Sequence, residues 1–297
     1  MLWLVLALIG YILNALATLI SKWLLIKDIP EPVVFTFYIG VFNLVALVLI
    51  PFGFYVPSAL QILIALISGA SYAWAMYYLA VALNKDQASQ VAPMIGGLQP
   101  VFVLAFAWWF LPETLVFKQY IGIALIVFST IFLALEVNKK RLFTESVKYI
   151  LLSSVLFGLS YALLKLVYIE QGFVSGFVWT RIGTFAFVAI LAALPGNWKL
   201  ITKSSKKSKP AAKEWFVVGQ ILGAVSFLLV SYAISLGPVT IINALQGIQY
   251  AFLFVFIVLV ARWHPRMLDE PLTKSVVLQK TLAILVLIIG LALSVLP

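Results

Sequence analysis

Arg181 carries the sharpest chemical signal in the sequence. It stands about eight residues into an apolar run, Phe173 to Leu194, on the order of 12 Å along a helix axis at 1.5 Å per residue. A guanidinium at mid-bilayer costs roughly 2.5–3.5 kcal/mol on insertion scales, so it has to face protein or water. No Asp or Glu stands near the centre of any apolar run. Glu113 and Glu170 lie towards one set of ends, Glu136 and Glu270 towards the other. Two readings follow. Arg181 binds or gates an anionic or zwitterionic solute, or it snorkels outward to Glu170 or to backbone carbonyls and fixes packing. Amides form the second group. Asn243, Gln246 and Tyr250 are spaced i, i+3 and i+7, one face of a helix, and Gln249 flanks that face. Gln99 occupies a parallel place in an earlier run, and Asn14 lies in the middle of the first. Amides in a bilayer need partners, either another helix or a ligand. Asn14 cannot exchange protons, so it cannot drive a proton-coupled export. The third group is Pro93, Gly96, Gly97 and Pro100 in one run. Proline removes a helix hydrogen bond and clashes one turn back, which predicts a kink or break. Freed backbone groups at mid-depth are tolerated only beside protein or water, so this stretch is either a hinge beside a cavity or a packing kink. Lys22 and Lys165 close the inventory, as interfacial anchors or as paired charges at opposite mouths of a cavity.

Other chemistry lacks its residues. The chain has no Cys, so no disulfide and no thiolate metal site. Its single histidine, His264, sits in a basic loop between Trp263 and Pro265. There is no His pair, no carboxylate dyad within an apolar run and no nucleotide-binding P-loop. The expectation is a protein with no metal, no cofactor and no catalytic residue.

The elements that must position these residues are set by composition. Of 297 residues, 64% are hydrophobic and 10% are charged, against roughly 25% charged in a soluble domain. The mean hydropathy is +1.13. So few charges cannot cover the surface of a soluble protein of this length. A spanning helix needs about 20 apolar residues, and the apolar runs fall at 2–22, 33–50, 59–83, 88–111, 117–137, 148–169, 173–194, 214–236, 239–262 and 277–296. The fold class is therefore an all-α integral membrane protein with ten transmembrane helices. Turn formers such as Pro51-Phe52-Gly53, Leu111-Pro112-Glu113 and Gly237-Pro238 punctuate the connections. Very short links make the third and fourth spans antiparallel neighbours, and likewise the eighth and ninth. Only 195–213 makes a long loop. Ser68-Gly69-Ala70 and Gly223-Ala224 suit close helix approach. Tyr72, Trp74, Tyr77 and Tyr78 line a cavity or face lipid and neighbouring helices.

The chain repeats weakly. One offset puts Lys22 on Lys165 and Gly40 on Gly183, and Leu98-Gln99-Pro100-Val101-Phe102 parallels Ile248-Gln249-Tyr250-Ala251-Phe252. The order of these matches divides the chain into two five-helix repeats, 1–138 and 146–297. Five is odd, so the second copy enters the membrane inverted, with a solute site near the midplane between the halves. The net charge of +10 is concentrated on one side. Lys85, Lys139, Lys140, Arg141, Lys199, Lys203 and Arg266 fall in the odd-numbered loops, whereas the other side has Lys118 as its one clear loop cation. Positive residues mark the cytoplasm, so loops 1–2, 3–4, 5–6, 7–8 and 9–10 are expected inside a cell membrane and both termini outside. The charge therefore reads as topology rather than as nucleic-acid binding, and the Lys tract 199–213 also suits anionic membrane lipid.

Ala82-Leu83, Ala88, Pro93 and Leu98-Gln99-Pro100, then Trp109-Phe110-Leu111-Pro112-Glu113-Thr114-Leu115 with Gln119, Gly122 and Ser129, resemble the EamA-type ten-helix group of the drug/metabolite transporter superfamily. Leu268-Asp269-Glu270-Pro271-Leu272, Lys280 and Gly290 repeat part of the pattern, and Pro112 replaces the usual Gly. The resemblance implies a cavity between the halves lined by spans 1–4 and 6–9. It also implies cytoplasmic termini, the reverse of the charge count. The expected function is a secondary transporter of a small polar solute by alternating access, working as a monomer or homodimer. The substrate cavity would be lined by Arg181, Gln99, Asn243, Gln246, Gln249, Tyr250 and Asn14. A lipid or lipid-linked-sugar flippase stays open as an alternative, as does a non-transporting structural or receptor protein.

Overall fold

A computed structural model describes residues 2–25, 31–86, 88–135, 145–205, 210–263 and 273–295. His264, the Leu268–Leu272 stretch, Glu136, Lys139, Lys140, Arg141 and Arg266 lie outside the described residues, as does the side chain of Lys22. Every regular element among the described residues is helical. The first half comprises α1 (Leu2–Leu25), α2 (Pro32–Asn43) continuing as a 3₁₀ segment (Leu44–Phe52), α3 (Ala59–Leu83), α4 (Ala88–Phe110) and α5 (Phe117–Ala134). The second comprises α6 (Val147–Gln171), α7 (Phe173–Ala193), a short α8 (Asn197–Ser205), α9 (Pro210–Leu236), α10 (Val239–Ala244), α11 (Gln246–Trp263) and α12 (Lys274–Val295). Ten of these stretches are long and apolar enough to cross a bilayer, with α2 and its 3₁₀ tail forming the second span and α10–α11 the ninth. The loop at 195–213 holds α8, which its Lys/Ser-rich sequence does not announce.

Local chemistry sets the ends. Ser58 and Gln61 form a reciprocal cap at the start of α3: the Gln61 amide donates to Ser58 Oγ at 3.4 Å and the Ser58 amide to Gln61 Oε1 at 3.1 Å. Between α6 and α7 a single residue makes the turn. Gly172 has φ +66°, a conformation that other residues adopt at a cost.

The packing is two-fold in pattern. α1 lies along α9 and α3 along α6. Both pairs are antiparallel. Gly10 lies against Val230 and Ser226 while Gly219 lies against Ile20; Ser68 donates to the Ser160 carbonyl and Ser153 to that of Ala75, each at 2.9 Å. Exchanging first-half spans for second-half spans turns the first pair into the second. The same exchange relates α4 on α6 to α11 on α1, and maps α5 with α12 onto itself. In that last pair, Gly122 and Gly290 bring two backbones together: a Cβ on either would come within 2.8 Å of the other's carbonyl oxygen. Gln119 Nε2 donates to the Ser294 carbonyl at 3.4 Å. Gln279 Nε2 donates to those of Phe132 and Leu135 at 2.9 and 2.8 Å. A glutamine near the start of each helix thus reaches the last turn of the other, an isologous contact compatible with an inverted repeat. Small residues set these approaches because helices in lipid associate by packing rather than by the hydrophobic effect.

Three expectations shift. The short links do not select the main neighbours: α3 packs chiefly on α6 and α7, and α9 on α1, because buried faces rather than link length decide which helices touch. Gly69 is wedged against the α7 backbone as expected, but Gly223 has nothing within 4 Å of a built Cβ. And α4 is helical without a break from Ala88 to Phe110 despite Pro93 and Pro100. The interruptions fall instead at Leu245, between α10 and α11, and after Asn43, where α2 tightens to 3₁₀.

On the side of the 3–4 and 5–6 loops, Lys85 and Glu145 form an exposed ion pair at 2.9 Å, and Ser146 donates to Asp86. The Lys85 ammonium holds the Glu145 carboxyl below the usual carboxylate range. On the other side, Glu113 accepts from the Val239 amide at 2.6 Å and from Thr240 Oγ1 at 2.7 Å, capping α10. Lys165 Nζ caps the end of α9 through the carbonyls of Ile234 and Gly237 at 2.8 and 2.9 Å.

Candidate functional site

The polar residues inside the bundle form two groups. The first joins α1, α4 and the interrupted ninth span. Gln99 Nε2 donates to Asn243 Oδ1 at 2.6 Å, and Asn243 Nδ2 to the Val239 carbonyl at 2.9 Å. Asn14 Nδ2 donates to Gln249 Oε1 at 2.9 Å, and Gln249 Nε2 to Thr18 Oγ1 at 3.4 Å. The Tyr250 hydroxyl donates to the Ala92 carbonyl at 2.8 Å. Its ring lies where a Cβ on Gly96 would stand, so that glycine makes room for it. Tyr11 donates to the Ile242 carbonyl at 2.8 Å, close to the interruption at Leu245. Gln246 is half-buried beside Tyr250. The amides read from the sequence are therefore brought together, and they are largely occupied with one another.

The second group surrounds Arg181 and shares no hydrogen bond with the first among the described residues. Arg181 is 2% exposed and is the one buried charged side chain among the described residues. It does not reach Glu170, which is exposed and accepts from Gln61 at 3.2 Å. Its Nη1 donates to Asn43 Oδ1 at 3.4 Å. Asn43 is the last α-helical residue before the second span tightens. Three rings cover the guanidinium: Phe227 at 4.3 Å, and Tyr72 and Phe177 each at 5.2 Å from centroid to Cζ. Those rings touch one another edge-on or tilted, Tyr72 to Phe227 at 5.5 Å and Phe177 to Phe227 at 6.1 Å. Cation–π contact stabilises a desolvated guanidinium by about 2 kcal/mol, but it leaves the in-plane N–H groups to find acceptors.

One of these, Nε–H, finds none, and it is not the only orphan nearby. Among the described residues, the buried side-chain atoms without a hydrogen-bond partner are Arg181 Nε, Asn43 Nδ2, the Tyr168 hydroxyl, Ser231 Oγ and Gln171 Oε1. Two of these belong to the Arg181–Asn43 pair itself. Tyr168 lies within electrostatic reach of Arg181 and neighbours Ser231, yet neither hydroxyl makes a hydrogen bond of ordinary geometry. Buried polar groups are nearly always paired, and each exception asks for an explanation. Here the exceptions other than Gln171 Oε1 gather around a cation contributed by α7, with neighbours from the second, third, sixth and eighth spans.

Arg181 stood out in the sequence because a charge in an apolar run is conspicuous, and Tyr72 because it belongs to an aromatic group. Asn43 had a weaker signal, a lone amide inside the second run. Phe177, Phe227, Tyr168 and Ser231 had none, since aromatic and hydroxyl residues are common in spanning helices.

Comparison with known proteins agrees with this architecture. Residues 1–135 match the EamA-like transporter family. None of the curated proteins matches the chain. One solved structure, titled only as the crystal structure of a protein, matches with a TM-score of 0.69 over 98% of this chain and 96% of its own. The two are 12% identical, so that likeness shows the fold alone. The first 135 residues are therefore similar to the EamA-like transporter family, on a bundle with ten apolar spans among the described residues.

Proposed function

We propose that the chain is a secondary transporter of a small polar solute, anionic or zwitterionic, which it moves across the cell membrane by alternating access around Arg181. The observation that carries this is a guanidinium buried without a carboxylate and ringed by unpartnered polar atoms, inside a bundle whose first half is similar to a transporter family. A fold keeps an uncompensated buried charge only where something offsets its cost, and a bound anion does so. The two five-helix halves, 1–138 and 146–297, rock about this place. The Gln99–Asn243 and Asn14–Gln249 pairs hold spans of opposite halves in register. The Pro93–Pro100 stretch and the interruption at Leu245 supply the flexing, and the odd-numbered loops face the cytoplasm.

Counterflow of labelled solutes in proteoliposomes tests the proposal. Wild-type protein is expected to accumulate its solute against an unlabelled internal pool, and Arg181→Ala to lose that uptake. Unchanged uptake by Arg181→Ala removes Arg181 from the path.

A further inference from the structure

We infer that the solute held at Arg181 is a water-soluble organic monoanion, a carboxylate on an apolar ring-bearing body, and neither an amine nor a zwitterion. This rests on the transport reading above for its biological meaning, although its test reads binding alone.

The charge inventory comes first. No buried Asp or Glu accompanies Arg181 among the described residues. One negative charge therefore neutralises the place and a dianion overshoots it. An ammonium group would find no carboxylate. The aromatic faces that might otherwise attract it already carry a guanidinium, and a second cation a few ångströms away is repelled in so poor a dielectric. The hydrogen-bond inventory agrees. Arg181 Nε–H and the Asn43 amide N–H are unpartnered donors, and the hydroxyls of Tyr168 and Ser231 can each donate. A carboxylate is a pure acceptor with two oxygens, and Arg binds it in the guanidinium plane. The covering rings leave that plane's edges as the route to a ligand. The same rings offer an apolar surface on which a ligand ring would pack.

The experiment titrates purified full-length protein in detergent with a matched set: 3-phenylpropionate, phenylalanine, phenethylamine, 3-phenylpropanamide and phenyl phosphate, with phosphatidylglycerol micelles as the lipid arm. 3-Phenylpropionate is expected to bind at least tenfold more tightly than every other member. Arg181→Gln should weaken it more than tenfold, and Arg181→Lys less severely. Without ligand, Arg181→Gln should melt at or above the wild-type temperature, because it removes an uncompensated charge; a structural arginine would give the opposite shift. Tyr168→Phe should bind severalfold more weakly with little change in melting temperature, since its hydroxyl makes no hydrogen bond of ordinary geometry. Tighter binding of the amine, the zwitterion, the phosphate or the lipid overturns the inference. So does binding that Arg181→Gln leaves intact, or no binding of 3-phenylpropionate at millimolar concentration. The two readings separate in counterflow. A carboxylate that binds but is not carried leaves the anion site standing and removes transport. Uptake of phenylalanine without uptake of the carboxylate leaves transport standing and removes the anion site.

Discussion

At the scale of single residues the interior sorts its polar groups by whether they are paired. Gln99 and Asn243 complete each other at 2.6 Å, and Asn14 with Gln249 at 2.9 Å. Such amides act as joints between helices. Arg181 is different: its rings shield it, its amide partner satisfies one N–H, and its Nε is left over. A double-mutant cycle separates the two kinds. Gln99→Ala and Asn243→Ala should each lower the melting temperature in detergent, and the pair should couple by about 0.6–1.7 kcal/mol, the range seen for buried hydrogen bonds within membranes. Zero coupling combined with lost uptake would make these amides solute contacts instead of joints.

At the scale of elements, the spans were legible because each is an apolar run of bilayer length with turn formers at its ends, and eight of the ten are single unbroken α-helices. The irregularities were not legible. Two prolines in α4 pointed to a kink or a break there, and α4 is unbroken; the α-helical pattern gives way instead at Leu245, where no proline stands, and along Leu44–Phe52, whose only breaker is Pro51 near its end. Neighbouring helices impose these departures, and a local pattern does not encode its neighbours. The same holds for the site. Arg181 could be read from one run, whereas Asn43 and Tyr168 come near it, and Ser231 near Tyr168, only because separate helices bring them there. Glu113 and Lys165 illustrate long-range control of an element's end. The first caps α10 from the link between α4 and α5; the second caps α9 from α6. Glu113→Ala should cost about 0.5–2 kcal/mol, the usual worth of a cap, and should speed hydrogen exchange at residues 239–241. Glu113→Gln keeps an acceptor and should do less of both. Equal exchange in all three proteins would show that α10 is held by packing alone.

At the scale of the whole molecule, one departure from two-fold pairing bears on the alternating-access motion proposed above. α7 lies along α3, where Gly69 would place a Cβ 2.0 Å from the Thr180 carbonyl oxygen and Gly183 one 2.6 Å from Leu66. Exchanging the halves turns this pair into the second span on α9, and α2 has no comparable packing there. Gly40 rests against Val188 of α7 instead, and Gly223 on α9 faces open space. Two inverted copies in different conformations are what an alternating-access cycle requires, because the opposite state follows when each copy adopts the other's shape. The exchanged state would then close the second span onto the α9 flank that holds Gly223. Gly223→Leu is a direct probe. It meets nothing in this state, so folding and ligand binding at Arg181 should match wild type. It obstructs the exchanged state, so counterflow should slow severalfold while equilibrium binding does not change. Gly69→Leu is the contrasting variant, since its side chain would strike the α7 backbone and should prevent stable folding. The absence of native cysteine makes the motion itself readable. Single cysteines at positions 40 and 223, cross-linked with reagents of graded length, should react with the shorter ones only when solute is present. Identical cross-linking with and without solute, together with full transport by Gly223→Leu, would mean that the bundle moves by some route other than exchange between its halves.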